Sequence, residues 1–82
     1  MKEKRYVKIG ELYKAKKICF LFKKTEWNET DEYIAKLNKD DTVMILEEIP
    51  GGYGVNWSLI KVLYENKVGW CYSDELELTP IS

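Results

Sequence analysis

Aromatic and acidic side chains, rather than nucleophiles or bases, carry most of the chemistry this sequence offers. The segment TEWNETDE, residues 25–32, sets Trp27 among four carboxylates. A tryptophan in so polar a run either folds back as a lid on a core or stands out as a contact anchor, since tryptophan is enriched at interface hot spots. Tyr53, inside Pro50-Gly51-Gly52-Tyr53-Gly54, poses the same choice between a solvated loop tip and an anchor. With Tyr33, Trp57 and Tyr72, these residues can form an aromatic groove rimmed by acids. Such a groove suits a basic or amphipathic peptide.

Catalytic chemistry is poorly supplied. The chain has no histidine to act as a base, and Ser58, Ser73 and Ser82 lie in no nucleophile motif. The Gly51-Gly52 loop lacks the Lys-Ser or Lys-Thr of a phosphate loop. Asp40-Asp41 and Glu47-Glu48 are paired carboxylates, but neighbours on a strand point to opposite faces and neighbours on a turn are solvated. Cys19 and Cys71 sit in the apolar runs KKICFLF and GWCYS, which favours two buried thiols over a disulfide. Lys16 and Lys17 flank Cys19 too weakly to activate it. Two separated cysteines without histidine give no metal spacing. The expectation is a non-enzyme without metal or cofactor.

The net charge of −1 conceals an asymmetry. Residues 1–24 hold nine basic and two acidic side chains, a net of +7, and the remainder carries −8. Within MKEKRYVKIGELYKAKK, the bases Lys4, Arg5, Lys8, Lys16 and Lys17 interleave with Tyr6 and Tyr13. That pattern suits phosphate contacts with base stacking, so a nucleic-acid-binding barrel is the alternative function. The acidic remainder and a pI near 5.5 weigh against it. If the two ends meet on one barrel, the charges mix.

These residues must be positioned by strands. At 82 residues the chain is one domain, and 45% apolar composition is enough for a core. The best helical window, Thr30 to Asn38, lacks a 3.6-residue stripe. Strands are expected over Ile9–Lys16, Ile18–Phe22, Tyr33–Leu37, Thr42–Glu47, Trp57–Tyr64 and Val68–Tyr72. The continuous apolar run Ile18–Phe22 reads as a strand covered on both faces. Ile60, Val62 and Tyr64 share one face, and so do Val68, Trp70 and Tyr72. Asn38–Asp41, Pro50–Gly54 and Asn66-Lys67 are the turns. The fold class is all-β, a small five- to six-stranded barrel or sandwich, with residues 1–8 as an N-terminal arm and the core in 9–78.

The order of these pieces resembles a Src-homology-3-like (SH3-like) barrel of the bacterial kind over residues 9–78. Three stretches carry the likeness: Ala35–Leu46 with its polar turn before an apolar strand, Trp57 opening a strand after a flexible loop, and Val68-Gly69-Trp70 followed by Tyr72-Ser73-Asp74-Glu75-Leu76. The resemblance implies a close backbone approach at Gly69 and a 3₁₀ turn over Ser73–Glu75. It also implies inward Leu76 and Leu78 on a short last strand, and Trp70 as a core or rim aromatic. It makes residues 23–33 and 49–56 the loops beside a ligand groove. Trp57 then matches the groove tryptophan, and Glu26, Glu29, Asp31 and Glu32 supply acids for a basic ligand residue. The family's groove proline and tyrosine fall near Tyr72 and on Glu75, so proline-rich peptides are not the expected ligand. Another five-stranded barrel, of the oligonucleotide-binding kind, is the alternative fold.

The expected function is a non-catalytic protein–protein interaction module, such as a small accessory, inhibitor or adaptor protein of a bacterium or phage. Cell-wall targeting and oligomerisation through a strand edge are further options. The charged MKEKRYVKIG is followed by no apolar run of about 7–15 residues, and nothing reaches about 18, so the expected place is the cytoplasm, not the membrane.

Overall fold

The computed structural model describes residues 5–24, 29–51 and 54–77, with the side chains of 24 and 29–31 left out. Six strands form one antiparallel sheet: β1 (Leu12–Lys14), β2 (Cys19–Lys24), β3 (Glu29–Leu37), β4 (Thr42–Pro50), β5 (Ser58–Tyr64) and β6 (Lys67–Tyr72). Their order is β1-β4-β5-β6-β2-β3. A 3₁₀ turn over Ser73–Glu75 follows β6. The chain then returns to β1, where Leu76 bridges Ala15 and the Glu77 amide donates to the Lys14 carbonyl at 2.9 Å. The fold class is therefore all-β as expected. Leu76 is fully buried, while Leu78 lies outside the described residues. Among the described residues no helix is long and apolar enough to cross a membrane.

One apolar cluster lies inside the sheet. Tyr13, Leu21, Leu37, Val43, Ile45, Ile60, Val62, Cys71 and Leu76 are its buried members, joined by Val7, Ala15 and Cys19. Both cysteines are free, buried thiols. The Cys19 thiol beside it, together with burial, holds the Cys71 thiol well above the usual thiol range. They fill space and are not poised as nucleophiles.

One stretch differs from the sequence expectation, and the phase of β6 is set by packing. Along Ile18–Phe22, Cys19, Leu21 and Phe22 are buried, whereas Ile18 and Phe20 are exposed, so the run is not covered on both faces. In β6 the inward residues are Gly69 and Cys71, so Val68, Trp70 and Tyr72 point outward. The cause is packing. A Cβ on Gly69 would stand 2.7 Å from Leu21 Cβ. Only a residue without a side chain lets β6 lie this close to β2, which fixes the phase of the whole strand.

The turns explain the registers. The Asn38 amide donates to Asp41 Oδ2 at 2.8 Å, and Asp40 has φ of 74°. Asp41 therefore builds the turn before β4, and its Oδ2 also accepts from the Tyr64 hydroxyl at 3.0 Å. The β5–β6 hairpin turns on Glu65 and Asn66, with φ of 47° and 66°, and Lys67 already pairs with Tyr64. Two central residues of positive φ make the type I′ hairpin turn. It sits one residue earlier than the Asn66-Lys67 expected. Glutamate tolerates this region poorly, at about 1 kcal/mol. Glu65→Gly is expected to raise stability by about 0.5–1 kcal/mol, read as an upward shift in urea midpoint.

Candidate functional site

Two constructions meet near the ends of β4, β5 and β6: a buried polar latch and an open aromatic cleft. The latch arises from a β-bulge. Ile45 pairs with Val62, and the next pair is Glu47 with Lys61, leaving Leu46 as the extra residue. The bulge reverses the alternation of the strand. Glu47 is consequently exposed, and Glu48 enters the core side beside Ile60 with 5% exposure. The paired carboxylates stand on opposite faces and do not form a joint site.

Glu48 Oε2 accepts from the Tyr6 amide at 2.7 Å and from the Ser58 hydroxyl at 2.6 Å. The Ser58 amide in turn donates to Ser73 Oγ at 2.9 Å, and both serines are buried. Arg5 donates to the Glu48 carbonyl at 3.1 Å. The carboxyl group thus ties the N-terminal segment to β5, and Ser58 carries the connection on to the 3₁₀ turn through Ser73. Glu48 Oε1 has no hydrogen-bond partner among the described residues.

The cleft stands directly above this network in sequence. Trp57 precedes Ser58, and Tyr72 and Asp74 flank Ser73. Trp57, Tyr72 and Asp74 line a cleft of about 340 Å³. The Trp57 and Tyr72 rings meet edge to face, 5.2 Å apart at 85°. Phe22, buried, backs Tyr72 at 5.8 Å. Trp57 remains 41% exposed, and the Asp74 side chain is exposed. Two aromatic walls beside a carboxylate can accept a cation or a positively charged stem through ring faces and charge together.

Of the sequence-predicted groove, the structure brings Trp57 and Tyr72 together. Tyr33 does not join them: it is 63% exposed and stacks on Phe20 at 5.1 Å. Glu32 is exposed on β3, away from the cleft lining. Trp27, Tyr53 and Glu26 lie outside the described residues, as do the side chains of Glu29 and Asp31. Asp74 was not among the sequence candidates. Trp57 and Asp74 are distant in sequence, and only the β5–β6 pairing with the Ser58–Ser73 bond sets them side by side.

The basic set also changes character. Tyr13 is 1% exposed, and its hydroxyl accepts from the Lys8 amide at 3.0 Å, so it cannot stack on a base. Tyr6 is half-buried, and its hydroxyl reaches the Val55 carbonyl at 3.4 Å. Arg5, Lys8, Lys16 and Lys17 are exposed, and Lys4 lies outside the described residues. The N-terminal segment from Arg5 onward is docked, with Val7 in the core.

Next to the cleft, burial and then the Asp74 charge push the Glu75 carboxyl above the ordinary carboxylate value, against an opposing pull from Lys17. The folded protein therefore binds this proton more tightly than the unfolded chain. Stability rises as pH falls through the folded Glu75 midpoint and levels off below the unfolded value of 4.5. Glu75→Gln, which retains an acceptor for the Tyr72 amide, is expected to flatten that slope. Urea melts at steps between pH 7 and pH 4 check it, with a midpoint that ignores the substitution as the contrary result.

Among the described residues no cluster of three or more His, Cys, Asp or Glu is placed to hold a metal ion. No family model, curated protein or solved structure matches the chain.

Proposed function

We propose that the protein is a non-catalytic interaction module that holds a basic or amphipathic segment of another protein in the cleft of Trp57, Tyr72 and Asp74. The observation that carries this reading is the pairing of two edge-to-face aromatic rings with an exposed carboxylate in one cleft of about 340 Å³. A lysine or arginine of the partner places its charge against Asp74 and its methylenes on the rings. The reading extends the SH3-like resemblance, and a small accessory, inhibitor or adaptor protein acting in the cytoplasm of a bacterium or for a phage fits it. Two buried free thiols accord with a reducing compartment. The nucleic-acid alternative loses its stacking platform, because Tyr13 is buried and Tyr6 is half-buried with its hydroxyl at the Val55 carbonyl.

The test is a titration of the labelled protein with short lysine- and arginine-containing peptides, followed by NMR. The expected shifts centre on the Trp57 indole and on Tyr72. Trp57→Ala should weaken binding at least about tenfold, equivalent to about 1.4 kcal/mol. Asp74→Asn should weaken it most at low salt. Binding indifferent to both changes, or shifts that appear only with an oligonucleotide and map to Lys16 and Lys17, would overturn the reading.

A further inference from the structure

The cleft is one end of a longer aromatic surface. Beyond Tyr72, which points outward from β6, stands Phe22 of β2 at 5.8 Å. Phe22 is buried without belonging to the core cluster, so its neighbours on the outer face cover it. It is the cross-strand partner of Tyr33 on β3, and the Tyr33 ring meets Phe20 at 5.1 Å. Residues directly opposite on antiparallel strands share a face. Trp57, Tyr72, Phe22, Tyr33 and Phe20 therefore follow one another across β6, β2 and β3. Single exposed aromatics need no explanation, but a contiguous run of them marks a contact surface.

Tyr33 reaches this surface through a β-bulge. Leu21 pairs with Ala35, and the next pair is Phe22 with Tyr33, leaving Ile34 as the extra residue. Leu37 is buried and Ala35 packs against the core, so strict alternation would send Tyr33 inward after them. Ile34 turns inward instead, its Cδ1 3.5 Å from where a Cβ on Gly69 would stand. Tyr33 is thereby turned out beside Phe20, and the two are 63% and 46% exposed. The bulge shows solvent an aromatic area that an unbroken strand would bury, and bulges next to binding sites re-aim side chains in this way.

The charges at the two ends select the occupant. Asp74 stands at the Trp57 end. Lys36, the cross-strand partner of Phe20, is exposed at the other end. A nucleic-acid strand or an anionic lipid surface is repelled at Asp74, and a uniformly basic segment is repelled at Lys36. A peptide with a base at one end and an acid at the other answers both. From the start of β5 to β3 is three strand spacings, about 14 Å, and an extended chain advances about 3.3 Å per residue. We infer that the cleft's ligand is an extended amphipathic segment of another protein with two anchors. A lysine or arginine sits at Asp74. About four residues further on, an aromatic side chain lies on Tyr33 and Phe20, with an acid beside it at Lys36. This rests on the peptide reading of the cleft and adds to it a second anchor, a spacing and a direction.

The experiment is a fluorescence-anisotropy titration with labelled peptides of equal length. The first carries an arginine and, about four residues on, a phenylalanine followed by a glutamate. The second has serine for the phenylalanine. The third exchanges the arginine and the glutamate, which keeps composition and charge but sets the base beside the aromatic. Wild type, Tyr33→Ala and Trp57→Ala are compared, each with a urea midpoint to show that it is folded. Wild type is expected to bind the first peptide about tenfold more tightly than the other two. Tyr33→Ala should lose that gain and keep its affinity for the second peptide, whereas Trp57→Ala should weaken all. Equal affinity of wild type for the three peptides, with Trp57→Ala still weaker, overturns the inference and leaves the cleft reading standing. A gain that survives Tyr33→Ala does the same. Binding of the first peptide that needs Tyr33 and ignores Trp57 overturns the cleft reading and the two-anchor ligand with it. So does a single-stranded oligonucleotide that binds through Tyr33 where no peptide binds.

Discussion

Replacing Glu48 with alanine is expected to cost the fold about 3 kcal/mol. The Ser58 hydroxyl and the Tyr6 amide both lose their acceptor, and Ser58 is fully buried. A buried donor left without a partner costs about 1–3 kcal/mol. Removing Oε1, which has no partner among the described residues, returns part of this, and the space vacated beside Ile60 takes part away again. Ser58→Ala removes one donor and keeps the acceptor, so its expected cost is nearer 1 kcal/mol. The two variants also differ in where the loss appears. Glu48→Ala frees the Arg5–Val7 segment, so the Tyr6 amide should exchange its proton far faster than in Ser58→Ala. Urea melts give the energies and amide exchange gives the location. Equal protection of Tyr6 in wild type and Glu48→Ala would show that the latch is not what holds the segment.

The second large effect is expected at Gly69. A methyl group there stands 2.7 Å from Leu21 Cβ, an atom bonded directly to the backbone of β2. No rotamer change relieves that contact, so β6 and β2 must separate. Overpacking of this kind costs about 1–3 kcal/mol, and the upper part of that range applies where both atoms are tied to paired strands. Leu21→Ala keeps the Cβ and gives no rescue in the double variant. The displacement reaches the candidate site as well. Phe22 on β2 pairs with Trp70 on β6 and backs Tyr72, so moving the strands apart loosens one wall of the cleft. Gly69→Ala should therefore lose stability and peptide binding together, whereas Trp57→Ala should lose binding with stability nearly intact. A Gly69→Ala protein within about 0.5 kcal/mol of wild type would refute the close-approach account.

Both sites show why part of this molecule was readable in its residues and part was not. The two-residue spacing of Ile60, Val62 and Tyr64 puts them on one face, and in the structure Ile60 and Val62 are buried with Tyr64 packed against the core. The polar turn before β4 is legible because Asp41 carries its own acceptor for the Asn38 amide. The same period misleads past Leu46, where one bulged residue puts Glu48 in and Glu47 out. In β6 the spacing puts Val68, Trp70 and Tyr72 on one face, and the structure turns that face outward while Gly69 and Cys71 face the core. The phase of a strand is a property of its neighbours, and a two-residue period holds both phases equally well.

The sequence by itself determined an all-β chain, the polar turn before β4 and two buried thiols. Those follow from residue type and local spacing, which act through backbone preference and burial. Tertiary structure alone decided that Tyr13 is core, that Tyr33 leaves the groove, that Asp74 joins Trp57 and Tyr72, and that Glu48 anchors the N-terminal segment. Each depends on strand pairing between residues far apart in the chain, and such pairing is set by bulges and close approaches that no short window of sequence contains.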